Sequence, residues 1–332
     1  MGGASGPGPL TLGTSRGGTY ADGVPPPSFP DALRAGALVL DGGLATELER
    51  QGQDLGSELW SARVLAEDPA AVVAAHRTFF AAGAQVATSA SYQVSAEGFA
   101  RVGQDGLAVS RLLRRSVRLA REAADEVEGG AWVAASVGPY GAARADGSEY
   151  RGDYGLDVAQ LRSWHHFGVR VLADAAPDVL ALETVPCLAE AEALLLEVED
   201  VGVPCWLSLT CSGDRTRAGE PVAEAFAMAA DVDAVVAVGV NCLDPADTGP
   251  LVRLAAALSG KPVVVYPNSG ERWDAAARRW VGPATDLAGR VDGWLDDGAR
   301  LVGGCCRVGP DAIAAVAAEV AARRSQPTHS EP

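Results

Sequence analysis

Leu301-Val302-Gly303-Gly304-Cys305-Cys306-Arg307, near the end of a 332-residue chain, shows in miniature a unit that the rest of the sequence repeats. An apolar run of strand length breaks into a loop of glycine and polar residues, and an amphipathic alanine-rich helix, Pro310-Ala322, follows. Working back along the chain, further strand patterns lie at Leu38-Asp41, Gln85-Ser89, Trp132-Val137, Val179-Glu183, Cys205-Thr210, Val235-Asn241 and Val263-Pro267, which with Leu301-Gly304 makes eight. Helical patterns sit between them, among them Pro69-Ala82, Leu107-Val127, Leu156-Ala175, Leu188-Val198 and Pro245-Leu258. Strands that are apolar at consecutive positions and separated by helices imply a parallel sheet covered on its outer face. Eight such units predict an α/β fold, a single closed (β/α)8 barrel of the TIM type. An open doubly wound sheet fits less well, because Asp41-Gly42-Gly43-Leu44-Ala45-Thr46 lacks the third glycine of a dinucleotide-binding turn.

The ends of the chain read differently. Residues 1–30 are rich in Gly, Pro, Ser and Thr and cannot bury enough surface to offset the entropy of ordering, so they are expected to be a disordered leader. The barrel then spans 31–324, and 325–332 is expected to be a disordered tail. A formal net charge of -16 argues against nucleic acid or an anionic membrane as partner. The arginines between Arg111 and Arg121 alternate with apolar residues as on the wet face of a helix. Neither a secretion signal nor a spanning segment is recognisable, which implies a cytoplasmic location. In that compartment the six cysteines are expected to be thiols or ligands rather than a disulfide framework.

The polar residues gather at one end of the predicted strands. Asp41, Ser89, Glu183, Asn241, Cys242, Asn268, Cys305 and Cys306 all fall at or just past C-terminal strand ends, the rim where barrels carry their chemistry. Gly303 and Gly304 give the backbone the freedom to turn two adjacent thiols toward one centre. With Cys242 they make three soft ligands and one open position, the pattern of a catalytic zinc site. Zinc with three thiolates carries a net charge of about -1, poor for making hydroxide but suited to carrying a nucleophilic sulfur. The substrate is therefore expected to be a thiol. Cys187, Cys205 and Cys211 read as structural. Glu183, ending an apolar run, is expected to need a charged partner. Asp41 has a competing role as cap of the helix starting at Leu44. Asn241 and Asn268 could be turn residues, Ser89 a loop hydrogen-bonder and Trp60 a core residue. His76 reads as helix surface, and His165 and His166 as packing residues.

Several blocks, in order, resemble the homocysteine S-methyltransferase family, in the branch that uses S-methylmethionine or S-adenosylmethionine. They are Asp41-Gly42-Gly43-Leu44-Ala45-Thr46-Glu47-Leu48, Leu59-Trp60-Ser61-Ala62, Thr88-Ser89-Ala90-Ser91-Tyr92-Gln93, Leu182-Glu183-Thr184, Gly239-Val240-Asn241-Cys242, Tyr266-Pro267-Asn268-Ser269-Gly270 and Gly303-Gly304-Cys305-Cys306-Arg307. The resemblance implies zinc held by Cys242, Cys305 and Cys306, with the sulfur of homocysteine as fourth ligand. It also implies that Glu183 and the Asp41-Gly42-Gly43 turn hold the amino-acid end of homocysteine with Ser89 nearby; Asn241 and Asn268, from their place on the rim, are expected to bind the substrate too. Trp60 and Tyr92 would form the donor pocket, where an aromatic face attracts a sulfonium cation. A betaine donor fits poorly, since Gln93 follows Tyr92 where a second ring would stand. The expected reaction is methyl transfer from the sulfonium to homocysteine, giving methionine. The competing reading is a non-catalytic barrel whose thiols store zinc or sense oxidants.

Overall fold

Alternation along each strand sets what the barrel encloses and what it turns toward its helices. The computed structural model describes residues 27–55, 60–100, 105–144, 146–274 and 279–325, with backbone alone for 60–62, 100, 272–274 and 279–280. One sheet contains β1 (Leu38–Val39), β2 (Val86–Thr88), β3 (Trp132–Val137), β4 (Val179–Val185), β5 (Cys205–Leu209), β6 (Val235–Asn241), β7 (Val263–Tyr266) and β8 (Ala299–Val302). All neighbours are parallel and follow chain order from β2 to β8; β8 pairs with β1, and a Leu40–Val86 bridge closes β1 onto β2. The closed barrel expected from the strand count is therefore observed. Outside it run α1 (Pro69–Ala81), α2 (Gly106–Ala124), α3 (Val158–Ala173), α4 (Leu188–Val198), α5 (Val222–Ala230), α6 (Thr248–Ser259), α7 (Val291–Asp296) and α8 (Pro310–Ser325). None of the described helices is long and apolar enough to cross a membrane.

Because successive strand side chains point to opposite faces, every second residue looks inward. Leu38, Leu40, Val86, Trp132, Ala134, Val179, Ala181, Trp206, Ala237, Val264, Tyr266 and Leu301 fill the barrel as one cluster. Their chain neighbours Val133, Leu180, Leu182, Leu207, Val238, Val240, Val263 and Val265 pack outward with the helices. Each such fully buried aliphatic side chain stabilises by about 1.5–3 kcal/mol relative to exposure. Continuing the same count toward the strand ends puts Ser136, Glu183, Ser208 and Asn241 on the inward face, where apolar filling gives way to polar groups.

The opposite end is sealed by the helix Phe29–Ala35. Ser28 caps it by accepting a hydrogen bond from the Asp31 N–H at 3.3 Å. Phe29 is buried and meets Trp206 with ring centroids 6.1 Å apart, while the Trp132 indole N–H donates to the Pro27 carbonyl at 3.2 Å. The leader expected over 1–30 is thus too long by its last residues, because Phe29 finds an aromatic surface at the barrel floor. Residues 1–26 lie outside the described residues, as do 326–332.

His76 corrects another expectation. It lies on the inner side of α1, fully buried, and neither ring nitrogen has a hydrogen-bond partner. Burial pushes its pKa down to about 4, so the folded protein holds it neutral. The unfolded chain binds a proton near pH 6.5, so folding loses stability as pH falls from there toward 4, by up to about 3 kcal/mol. Replacing His76 with Leu is expected to remove this component. Urea midpoints measured from pH 7 to pH 4 should fall less in His76→Leu than in the parent, and equal slopes would refute it.

Candidate metal and substrate site

Cys242 immediately follows β6, and Cys305 and Cys306 follow β8. Their three sulfur atoms lie within 4.8 Å of one another. A tetrahedral ion with zinc–sulfur bonds of about 2.3 Å would need sulfurs roughly 3.8 Å apart, so small side-chain adjustments suffice for all three to ligate one ion. The Cys242 and Cys305 sulfurs stand in direct contact, with Cα atoms 5.6 Å apart, as two ligands directed at one point would. Metal ligation requires the reduced pair. Cys306 is a thiol pushed up to about 11 by burial and by the nearby Glu183 charge. Cys187, Cys205 and Cys211 are buried thiols that burial pushes up to about 12, in keeping with structural roles.

A cavity of about 200 Å³ opens beside these sulfurs, lined by Asp41, Gly42, Gly43, Ser89, Tyr92, Glu183, Cys242, Cys305 and Cys306, with Thr88, Ser136, Tyr150 and Tyr266. Its acids are unusual. Glu183 is buried and accepts hydrogen bonds from the Ser136 and Tyr266 hydroxyls. Asp41 is buried and accepts from the Thr88 N–H at 2.8 Å and the Thr88 hydroxyl at 3.0 Å. Burial raises Glu183 to about 7 and Asp41 to about 8. The charged partner expected for Glu183 is absent among the described residues, and hydroxyls stand in its place. Asp41 is not a cap either, because Gly43 occupies that position for the helix Leu44–Arg50.

Ser89 belongs to a serine chain. The Ser91 hydroxyl donates to the Ser136 carbonyl at 2.7 Å, so the Ser89–Ser91 contact of 2.8 Å must have Ser89 as donor. Ser89 also accepts from the Ser136 N–H at 3.1 Å, leaving its oxygen with one lone pair for a further donor.

Backbone strain collects around the same point. Of the four described non-glycine residues with positive φ, three are here: Thr184, Cys242 and Arg307, at 60°, 52° and 66°. For a β-branched residue such as Thr184 this conformation is costly and must be over-determined by its surroundings. Asn241 does so: its Oδ1 accepts from the Thr184 N–H at 2.8 Å and the Ser208 hydroxyl at 2.9 Å, and its Nδ2 donates to the Thr184 hydroxyl at 2.8 Å. Asn268 acts likewise on the other side, its Oδ1 accepting from the Cys306 N–H at 3.1 Å.

Against known proteins, residues 38–320 match the family model described as homocysteine S-methyltransferase. The chain belongs to the homocysteine S-methyltransferase family. It is 43% identical over 306 residues to homocysteine S-methyltransferase 4 of Zea mays, covering 86% of this chain and 90% of the relative. Among solved structures it resembles the metallated form of the homocysteine methyltransferase MmuM from Escherichia coli, at 39% identity and a TM-score of 0.78, covering 86% of this chain and 99% of that one. The oxidised form of MmuM aligns with a TM-score of 0.77 at 41% identity, covering 85% and 95%.

In this homocysteine S-methyltransferase family member, Asn241 is fully buried, its amide bonded to Thr184 and Ser208, and it braces two strand ends beside the cavity. Asn268 is engaged by Cys306 and does not line the cavity. Gly43 donates its N–H to the Val308 carbonyl at 2.9 Å, and a Cβ on it would stand 2.6 Å from the Cys305 carbonyl, so its role is close packing against the cysteine loop. Trp60 opens the helix Trp60–Glu67, and its side chain lies outside the described residues. His165, buried, bonds Glu190 at 2.8 Å and His166 bonds Glu197 at 2.9 Å, both away from the cysteines. Sequence reasoning missed Ser136 and Tyr266, which counting alternate residues along β3 and β7 would have found. It also missed Tyr150, for which the sequence carries no signal.

Proposed function

We propose that the chain transfers a methyl group from a sulfonium donor, S-methylmethionine or S-adenosylmethionine, to the thiol of L-homocysteine, giving methionine, with zinc held by Cys242, Cys305 and Cys306. One observation carries the reading: three convergent sulfurs stand beside two buried carboxyls that have no cation of their own among the described residues. When bound, zinc would supply a soft Lewis acid that keeps the acceptor sulfur deprotonated.

The protein's own groups do the rest. Asp41 and Glu183 are raised because no cation compensates their burial, and a substrate ammonium would restore their charged forms. Ser89 can accept a further hydrogen bond from that ammonium. The Gly42 N–H, which has no partner in the described structure, suits the carboxylate. Tyr92 lines the same cavity and offers a ring face to the sulfonium. The new C–S bond forms as the donor's C–S bond breaks, the electron pair leaving on a neutral thioether, so no general acid is needed. Thiol activation alone is worth at most roughly thirtyfold. In-line alignment of sulfur, methyl carbon and leaving sulfur supplies the larger share, up to about 7–11 kcal/mol.

The test is direct: reduced, zinc-loaded protein with homocysteine and S-methylmethionine should give methionine by mass spectrometry, and none formed with either sulfonium sinks the reading. Glu183→Gln is expected to raise KM for homocysteine roughly tenfold to hundredfold, the worth of a hydrogen bond to a charged group, with a smaller effect on kcat. An unchanged KM would remove Glu183 from the ammonium site. The convergence of three sulfurs also favours a second reading, a thiol redox sensor without catalysis. It predicts that homocysteine leaves the zinc-edge absorption spectrum unaltered, whereas the enzyme reading predicts an added sulfur ligand.

A further inference from the structure

Tyr150 enters the cavity wall from well beyond the end of its strand. It ends the 3-10 turn Ser148–Tyr150, in the connection between β3 and α3. That turn is held in place from both sides. A Cβ on Gly141 would fall 2.3 Å from the Glu149 backbone nitrogen, and one on Gly152 would fall 2.8 Å from the Pro186 carbonyl, so the loop lies pressed against its neighbours. The Ser148 N–H adds a bond to the Asp146 carboxylate at 3.0 Å. The phenol lines the same cavity as Cys306, which puts its hydroxyl on the side of that sulfur.

Behind the ring stands Arg217, its guanidinium carbon 5.7 Å from the ring centroid. Arg217 Nε donates to the Thr210 hydroxyl at 3.2 Å, and that hydroxyl donates to the Cys242 carbonyl at 3.2 Å. One arginine is therefore tied to two of the three cysteines, to Cys306 through Tyr150 and to Cys242 through Thr210. Residues from four separate strand-end segments, after β3, β5, β6 and β8, meet in this chain of contacts.

We propose that Tyr150 is a positioning residue of the metal centre, its hydroxyl donating to the Cys306 sulfur while Arg217 holds that donor in register with Cys242. The inference rests on the reading of the three cysteines as metal ligands. Its physical content is charge. Three thiolates around a dication leave an excess negative charge in a buried place beside Glu183, and a phenol donor draws part of it off the Cys306 sulfur. A guanidinium over the ring face strengthens the donor, because the nearby positive charge polarises the O–H and stabilises negative charge developing on the phenol. Partners one shell outside a metal commonly account for ten- to a hundredfold in affinity.

The test compares parent, Tyr150→Phe and Arg217→Gln as reduced proteins, by zinc competition against a chromophoric chelator. Tyr150→Phe keeps the ring and removes only the donor. It is expected to bind zinc about 10–100-fold more weakly, and Arg217→Gln to lose affinity in the same direction by a smaller factor. With cobalt(II) in place of zinc, the thiolate-to-cobalt charge-transfer band should shift in Tyr150→Phe, a change that general loosening of the loop would not produce. Should either variant unfold, its thermal transition would show it, and the other variant then carries the test. If the parent binds zinc and Tyr150→Phe matches it within about twofold with an unshifted band, the inference is overturned and the metal reading stands. If the reduced parent binds no zinc, both fall.

Discussion

Cys306→Ser is expected to abolish zinc retention and to lower methyl transfer by at least about a hundredfold, since even partners outside the ligand shell are worth ten- to a hundredfold. The reason is chemical more than steric. Serine differs from cysteine by one atom and keeps the backbone N–H that Asn268 accepts, so the loop has no cause to move. Its hydroxyl, however, is a hard and weakly acidic group that does not replace a thiolate on zinc. Metal content by elemental analysis and methionine formation should fall together. A serine variant with full metal and full activity would remove Cys306 from the centre and with it the proposed mechanism.

Gly239→Ala is expected to cost more than about 3 kcal/mol, at the upper end of what overpacking does. Gly239 pairs with Val264 across β6 and β7, and a Cβ on it would stand 1.8 Å from the Val264 carbonyl oxygen and 2.8 Å from its carbon. No side-chain rotation relieves a contact with backbone, so the strands must separate inside a closed barrel. Two residues further on, the same strand carries Asn241, and then Cys242, so the displacement reaches the cluster as well. A fall in Tm of roughly 6 °C or more, at the 2–4 °C per kcal/mol of large domains, should come with weaker zinc binding. Gly293→Ala is the matched control. Gly293 lies in α7 with open space around its added Cβ, so the same substitution should there stabilise by about 0.5–1 kcal/mol. Equal effects at the two sites would show that the crowding at Gly239 is relieved by movement.

Much of the architecture was legible because it depends on chain neighbours. Apolar runs such as Val179-Leu180-Ala181-Leu182 and Val263-Val264-Val265 mark buried strands by local pattern alone, and their number with helices between them led to a closed barrel. The three cysteines were legible for the same reason, each standing just past a strand whose end could be read. Where the expectations shifted, the missing information was the identity of a distant partner. Glu183 was expected to face a cation and instead meets the hydroxyls of Ser136 and Tyr266. Asn241 sits at the right strand end, yet Thr184 and Ser208 claim its amide. His76 looked like the wet side of a helix, and the turn of α1 about its axis buries it.

By itself the sequence determined the eight strands, the rim on which polar residues gather, the cysteine set and the family, since periodicity and strand-end position are properties of residues close in the chain. Only the tertiary structure decided which of those rim residues face the cavity and which brace it, and brought in Tyr150. Those choices are made across gaps as long as the 261 residues separating Thr46 from the Arg307 N–H it accepts, where packing and hydrogen-bond geometry, not local pattern, select the partner.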